Sequence, residues 1–161
     1  MNIMKVIEVD QIDVRILELL QEDGRITVSE LSKALNLSRP SVAERLHRME
    51  ERNVIAGFTA RVSPSGVGRD VLVIMEIGQL NVACHKFEDF IASDPDVIEC
   101  HRVTGAVSYI MKAAVASMTH LEVLVDRLIP FGRVSTSVIL SSPVKFRPML
   151  PPGGESSSRT K

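Results

Sequence analysis

Apolar positions in the first fifty residues recur at helical spacing in three short blocks. Between Gln11 and Leu20, Ile12, Ile16, Leu19 and Leu20 share one face, Asp13, Glu18 and Gln21 fall on the other, and Asp10 stands where an N-cap belongs. Gly24 stops this helix. Thr27-Val28-Ser29-Glu30 reads as a capping box opening a second one, whose inner face is Val28, Leu31 and Leu35. Asn36 and Leu37 make a tight turn, and Ser38 caps a third helix that tolerates Pro40 because first-turn amides have no acceptor within the helix. In that helix Val42, Leu46 and Met49 point inward, leaving Arg39, Ser41, Glu44, Arg45 and Arg48 on the opposite surface with Arg52 just beyond. Helix, turn and a third helix with a basic, polar outer face form the helix-turn-helix pattern. From Val54 to Val62 a strand-like alternation broken by Gly57 predicts a short ribbon beside the helices, which makes the head a winged one.

Past the breaker-rich stretch Ser63-Pro64-Ser65-Gly66-Val67-Gly68 the period changes. Val71 to Met75 is a near-continuous apolar run of strand formers, expected to be buried on both faces. Ala83 to Ser93 gathers Cys84, Phe87, Phe90 and Ile91 on one helical side and ends at Asp94-Pro95. Val97 to Thr104 and Tyr109 to Val115 read as strands joined in a hairpin through Gly105 to Ser108. Ser117 caps a helix with Leu121, Leu124, Val125 and Leu128 inward, Pro130 stops it, and Val134 to Leu140 supplies a last strand. The order βαββαβ predicts a ferredoxin-like unit, an antiparallel sheet with both helices on one face. An apolar second face would be covered by another copy of the chain, so a homodimer through the sheet is expected.

The fold class is therefore α+β. The expected organisation is a winged helix-turn-helix domain over 1–62, a linker over 63–68, a ferredoxin-like domain over 69–147 and a disordered Pro/Gly/Ser-rich tail over 148–161. The 161 residues, 45% apolar and 24% charged, suit a globular protein with two cores. A net charge of −1 rules out a uniformly basic nucleic-acid glue, so DNA binding must rest on local charge. The distribution is uneven: residues 1–23 hold two basic and six acidic side chains, whereas residues 24–62 hold seven and four.

A helix fits the major groove, its N-terminal side chains reach base edges, and arginine bonds guanine bidentately. Arg39 and Ser41 lie at that end, while Arg45, Arg48 and Arg52 are spaced for phosphates. The residues alone leave open a rival reading, an assembly or amino-acid-binding module whose head contacts protein. Enzyme chemistry finds no support: there is no glycine-rich phosphate loop, no Gly-x-Ser-x-Gly elbow, and His47, His85, His101 and His120 are scattered, so no catalytic residues are assigned. Cys84-His85 and Cys100-His101 are adjacent pairs whose side chains diverge, which argues against a metal site. Two cysteines, no signal-peptide pattern and no long apolar run make the cytoplasm the expected location, with no membrane partner.

Several stretches together resemble the leucine-responsive regulatory protein and asparagine-regulator (Lrp/AsnC) family of transcriptional regulators. They are Val9-Asp10-Gln11-Ile12-Asp13 with Ile16-Leu17, Gly24-Arg25, Glu30-Leu31, Leu37-Ser38, Val42, Arg45-Leu46, Met49-Glu50 and Val54-Ile55. The resemblance spans roughly residues 9 to 145. It implies a winged reader of double-stranded DNA, no cofactor beyond a free amino-acid effector bound between dimers, and dimers that assemble to tetramers or octamers. The loop similar to the family's Gly-x-x-Asp-aromatic effector motif is Gly105-Ala106-Val107-Ser108-Tyr109. Ser108 stands where an acidic residue is usual, and a hydroxyl offers an ammonium only a neutral hydrogen bond.

Overall fold

The computed structural model describes residues 9–152. The chain divides into two units, Met1–Ala60 with Val144–Lys161, and Arg61–Pro143. The first is built on α1 (Gln11–Glu22), α2 (Val28–Leu35) and α3 (Arg39–Glu51). Its core is Ile16, Leu31, Val42 and Met49, almost wholly removed from water, with Leu20, Leu35 and Leu46 packed around them.

Each helix begins where a side chain satisfies its free amides. Asp10 accepts from the Asp13 N–H at 2.8 Å while Asp13 accepts from the Asp10 N–H at 3.3 Å, and Thr27 with Glu30 repeats the arrangement on α2. Ser38 Oγ accepts from the Ser41 N–H at 3.3 Å, and Pro40 sits in the first turn of α3. Between α2 and α3 the chain reverses at Asn36, which takes left-handed angles (φ 52°, ψ 43°) that asparagine tolerates better than most residues. Ser32 ties the turn, its hydroxyl donating to Leu37 O at 2.6 Å and its carbonyl accepting the Leu37 N–H at 3.0 Å.

Three expectations about this unit need correction. Asp13 and Glu18, assigned by spacing to the solvated face of α1, are 3% and 8% exposed, because each has an arginine partner that offsets the cost of burying a carboxylate. The ribbon expected over 54–62 is not formed. Val54 and Ile55 donate to Met49 O at the end of α3 and join the head core, and residues 56–62 have no strand assignment, since a strand needs a neighbouring edge. The tail expected to be disordered from Pro148 is held at Met149, whose backbone Gln21 binds in both directions. Residues 153–161 lie outside the described residues.

The second unit contains β1 (Val71–Gly78), α4 (Cys84–Ser93), β2 (Val97–Arg102), β3 (Tyr109–Val115), α5 (Met118–Leu128) and β4 (Arg133–Val138). All pairings are antiparallel, in the order β2-β3-β1-β4, with Met75 opposite Met111 on one side and Thr136 on the other. This is the ferredoxin-like arrangement. Val73, Met75 and Ile77 of β1, with Met111 of β3, pack against Phe87 of α4 and Leu124 of α5. The opposite sheet positions carry Leu72, Ile74 and Ile110 interspersed with Glu76 and Lys112, so β1 is not apolar on both faces along its whole length. Arg127 bridges Asp94 and Asp96, and Arg69 donates to Asp96 (3.1 Å) and Ala114 O (2.7 Å), fastening the start of the unit to the turn between α4 and β2.

Candidate nucleic-acid interface

Helix α3 is amphipathic in the sense the sequence requires, with Val42 and Met49 buried and Arg39, Pro40, Ala43, Glu44 and His47 exposed. Ser41 is half-buried and its amide is used by the Ser38 cap. Arg39 and Glu44 therefore stand free of the core near the N-terminal end, and Arg52 is exposed at the C-terminal end. His47 lies on the same outer surface, 3.2 Å from Glu51. Sequence reading set it aside as one of four scattered histidines, although its three-residue spacing from Glu44 places it on that row.

Arg45 is placed differently. Its guanidinium donates to Asp10 Oδ2 at 2.6 Å and Asp13 Oδ1 at 2.7 Å, and its side chain is only 20% exposed. Arg48 lies 3.7 Å from the other Asp13 oxygen and is half-exposed. These carboxylates are the capping box of α1, so Arg45 joins the start of α1 to the middle of α3. Partial burial acts to raise the Asp10 carboxyl, but the Asp13 amide and the Arg45 guanidinium together outweigh it and hold Asp10 below its ordinary value. The Arg45 guanidinium is held above its ordinary value by its bonds to Asp10 and Asp13. Of the positions expected to meet DNA, Arg39, Ser41 and Glu44 lie along α3 and Arg52 caps it, whereas Arg45 is turned to α1 and Arg48 leans toward the same Asp13.

The effector-motif residues fall at the end of the sheet unit where β1 finishes and β3 begins. Gly105 (φ 121°) and Ala106 are exposed, while Val107 and Ser108 are half-buried. The Ser108 N–H donates to Ile77 O at 2.8 Å and its carbonyl accepts from the Val103 N–H at 3.0 Å. Tyr109 is buried: its hydroxyl donates to Glu88 Oε1 and its ring lies 4.8 Å from that of Phe87. Burial first, and then the Glu88 bond, drive its phenol well above the ordinary value. Gly78 and Gly132 complete this end of the unit. A Cβ on Gly132 would meet Gly78 O at 2.6 Å, and one on Gly78 would meet Ala106 O at 3.4 Å. Neither glycine was singled out from sequence, where a strand-terminal glycine carries no sign of what crosses it.

Among the described residues, no group of three His, Cys, Asp or Glu side chains gathers as a metal site would require, and no helix is long and apolar enough to cross a membrane. Burial raises the Cys100 thiol, with Glu88 adding to the effect.

Two family models match the two units in order: the AsnC-type helix-turn-helix domain over residues 9–50, and the Lrp/AsnC ligand binding domain over residues 72–149. The chain belongs to the Lrp/AsnC family. YezC of Bacillus subtilis, an uncharacterized HTH-type transcriptional regulator, is 38% identical over 135 residues, covering 83% of this chain and 94% of YezC. LrpC of the same organism, an HTH-type transcriptional regulator, is 32% identical over 134 residues, 83% of this chain and 93% of LrpC. The solved structure of LrpC superposes with a TM-score of 0.83 at 31% identity, over 86% of this chain and 99% of that one. A transcriptional regulator of Neisseria meningitidis, solved as its L-Met complex, superposes with a TM-score of 0.80 at 26% identity, over 88% and 96% of the two chains. The Lrp/AsnC family consists of transcriptional regulators, not enzymes, and the helix-turn-helix of this member is its α1–α3 unit.

Proposed function

We propose that this Lrp/AsnC regulator reads specific sequences in double-stranded DNA with the exposed row of α3, and that its 61–143 unit makes the reading responsive to a free amino acid. The observation that carries the reading is the division of α3: an inner stripe of Val42 and Met49 and an outer row of Arg39, Ala43, Glu44 and His47, open to a partner. Arg39 and Ser41 at the N-terminal end, with Glu44 one turn on, face base edges; Arg48 and Arg52 serve phosphates. Arg45 contributes through its grip on α1. The half-exposed Leu72, Ile74 and Ile110 support a homodimer through the open face of the sheet, and the dimers assemble to tetramers or octamers.

The Neisseria complex with L-Met and the ligand-binding description of the matching family support an amino-acid effector. The loop from Gly105 to Ser108 is the site assigned to it, with Gly105 and Ala106 open to solvent and Ser108 offering a hydroxyl. Tyr109 supports the loop from beneath. A serine in place of a carboxylate gives an ammonium no charge partner there, so a shared cleft must draw that charge from elsewhere.

The test is anisotropy titration of duplexes from the protein's own promoter over a salt series, repeated with each amino acid. Affinity should fall linearly with salt on a log–log plot, and Arg39→Ala should blur site preference, while Arg52→Ala weakens all duplexes alike and lowers the salt slope by about 1. Equal affinity for every sequence, unaffected by Arg39→Ala, defeats the assignment of α3. Binding unchanged by every amino acid defeats the effector half.

A further inference from the structure

The chain enters its sheet unit at Arg61 and leaves it at Pro143, and the next nine residues return to the head. We propose that residues 144–152 are a strap that holds α1 and, through it, positions the DNA-reading helix, with Gln21 as its clasp. The inference rests on the DNA-reading role assigned to α3 and adds a residue and a segment to it.

Gln21 recognises the Met149 backbone as a neighbouring strand would: Nε2 donates to Met149 O at 3.0 Å and Oε1 accepts from the Met149 N–H at 2.9 Å. The same Nε2 donates to Leu17 O at 3.1 Å, so the amide is fixed to its own helix as well. Pro148, Pro151 and Pro152 flank the bound peptide group. Prolines restrict the free chain and so lower the entropy lost when the segment docks. Pro148, Leu150 and Pro151 are half-buried, and Leu150 and Pro151 line, with Leu17 and Leu20 of α1 and the 54–58 segment, a half-open apolar cavity of about 520 Å³.

The mechanical consequence follows from what lies at the other end of α1. The strap grips the C-terminal half of that helix at Gln21, and its N-terminal end carries Asp10 and Asp13, the carboxylates that hold Arg45 of α3. Strap, α1 and α3 are thus joined in series by hydrogen bonds. The strap follows β4 after only five residues, so the sheet unit has a second covalent connection to the head besides the one entering at Arg61.

Amide hydrogen exchange by NMR on the full chain, paired with duplex affinity at fixed salt, tests this. In the unaltered protein the Met149 amide should exchange at least about 10-fold more slowly than in an unstructured peptide. Gln21→Ala, and truncation after Pro143, should abolish that protection where the residue remains, speed exchange in α1 and α3, and weaken DNA binding roughly 3- to 10-fold. Gln21→Glu keeps the size and the acceptor but sets a carboxylate against two carbonyls, and should fall between. Truncation after Pro152 should change nothing. A Met149 amide unprotected in the unaltered chain overturns the strap. Protection lost on Gln21→Ala with α3 exchange and DNA affinity intact overturns its positioning role. If the unaltered chain binds no duplex, the reading function falls instead, and α3 exchange still decides the strap.

Discussion

Replacing Arg45 with alanine should melt the head well before it abolishes a direct DNA contact. The substitution leaves Asp13, 3% exposed, with Arg48 at 3.7 Å as its remaining cation. Removing one partner of a buried ion pair costs about 3–5 kcal/mol. Arg45 is itself 20% exposed and Arg48 can close in, which brings the cost to about 2–3 kcal/mol. The Arg45–Asp10 contact adds little, since Asp10 is 52% exposed and exposed pairs are worth about 0–1 kcal/mol. For a unit this small, the total corresponds to roughly a 10–20 °C fall in melting temperature. Two probes separate the units. The chain has one tyrosine, in the sheet unit, and no tryptophan, so tyrosine emission follows that unit while ellipticity at 222 nm also follows the head helices. The ellipticity transition of Arg45→Ala should gain an early step while the tyrosine transition stays in place. In a double-mutant cycle Asp13→Ala with Arg45→Ala should cost less than the two separately, by about 1–3 kcal/mol. An unshifted head transition, combined with a salt slope for DNA binding reduced by about 1, would refute the bracing role and return Arg45 to the phosphate contacts.

Three further outcomes follow from the same geometry. Gly132→Ala should destabilise the sheet unit by about 2–3 kcal/mol through overpacking against Gly78 O, whereas Gly105→Ala meets no atom and should cost about 1 kcal/mol from its positive φ; equal denaturant midpoints for the two would contradict this. Because the Asp10 carboxyl is held below its ordinary 3.8, the stability it lends is present above that value and lost as pH falls through the lowered folded value; Asp10→Asn should flatten the acid limb of the head's stability curve, and an unchanged limb would deny Asp10 that part. The Tyr109 phenol, raised by burial and by Glu88, lends stability below pH 10.0 that is lost as pH climbs through its folded value; phenolate absorbance at 295 nm should therefore appear only together with loss of ellipticity, and a smooth titration near the ordinary value in a folded protein would show the ring to be exposed.

The regular elements were legible because each carries its own local signal. Asp10, Thr27, Ser38 and Ser117 cap the helices that the 3.6-residue period marks out, and Tyr109–Val115 is a strand over the full range its composition suggests. What escaped depends on partners distant in sequence. Asp13 and Glu18 fit a solvated face by spacing, and only the arginines that meet them explain their burial. The basic row on α3 was visible, but not that Arg45 leaves it, because the pairing with Asp10 spans 35 residues. The strap was hidden more thoroughly. Prolines and glycines near a terminus ordinarily signal an unfolded end, and the anchoring amide of Gln21 lies 128 residues away. The ribbon failed in the converse sense, since the alternation of Phe58, Ala60 and Val62 is present but finds no edge among the described residues.

Because Val9 and Pro152, the outermost described residues, both belong to the head, the sheet unit is topologically an insertion into the reader. Exchange of sensor modules between relatives would therefore need two seams, one near Ala60 and one near Val144. A chimera that keeps only the first would inherit a reader lacking the last piece of its own architecture.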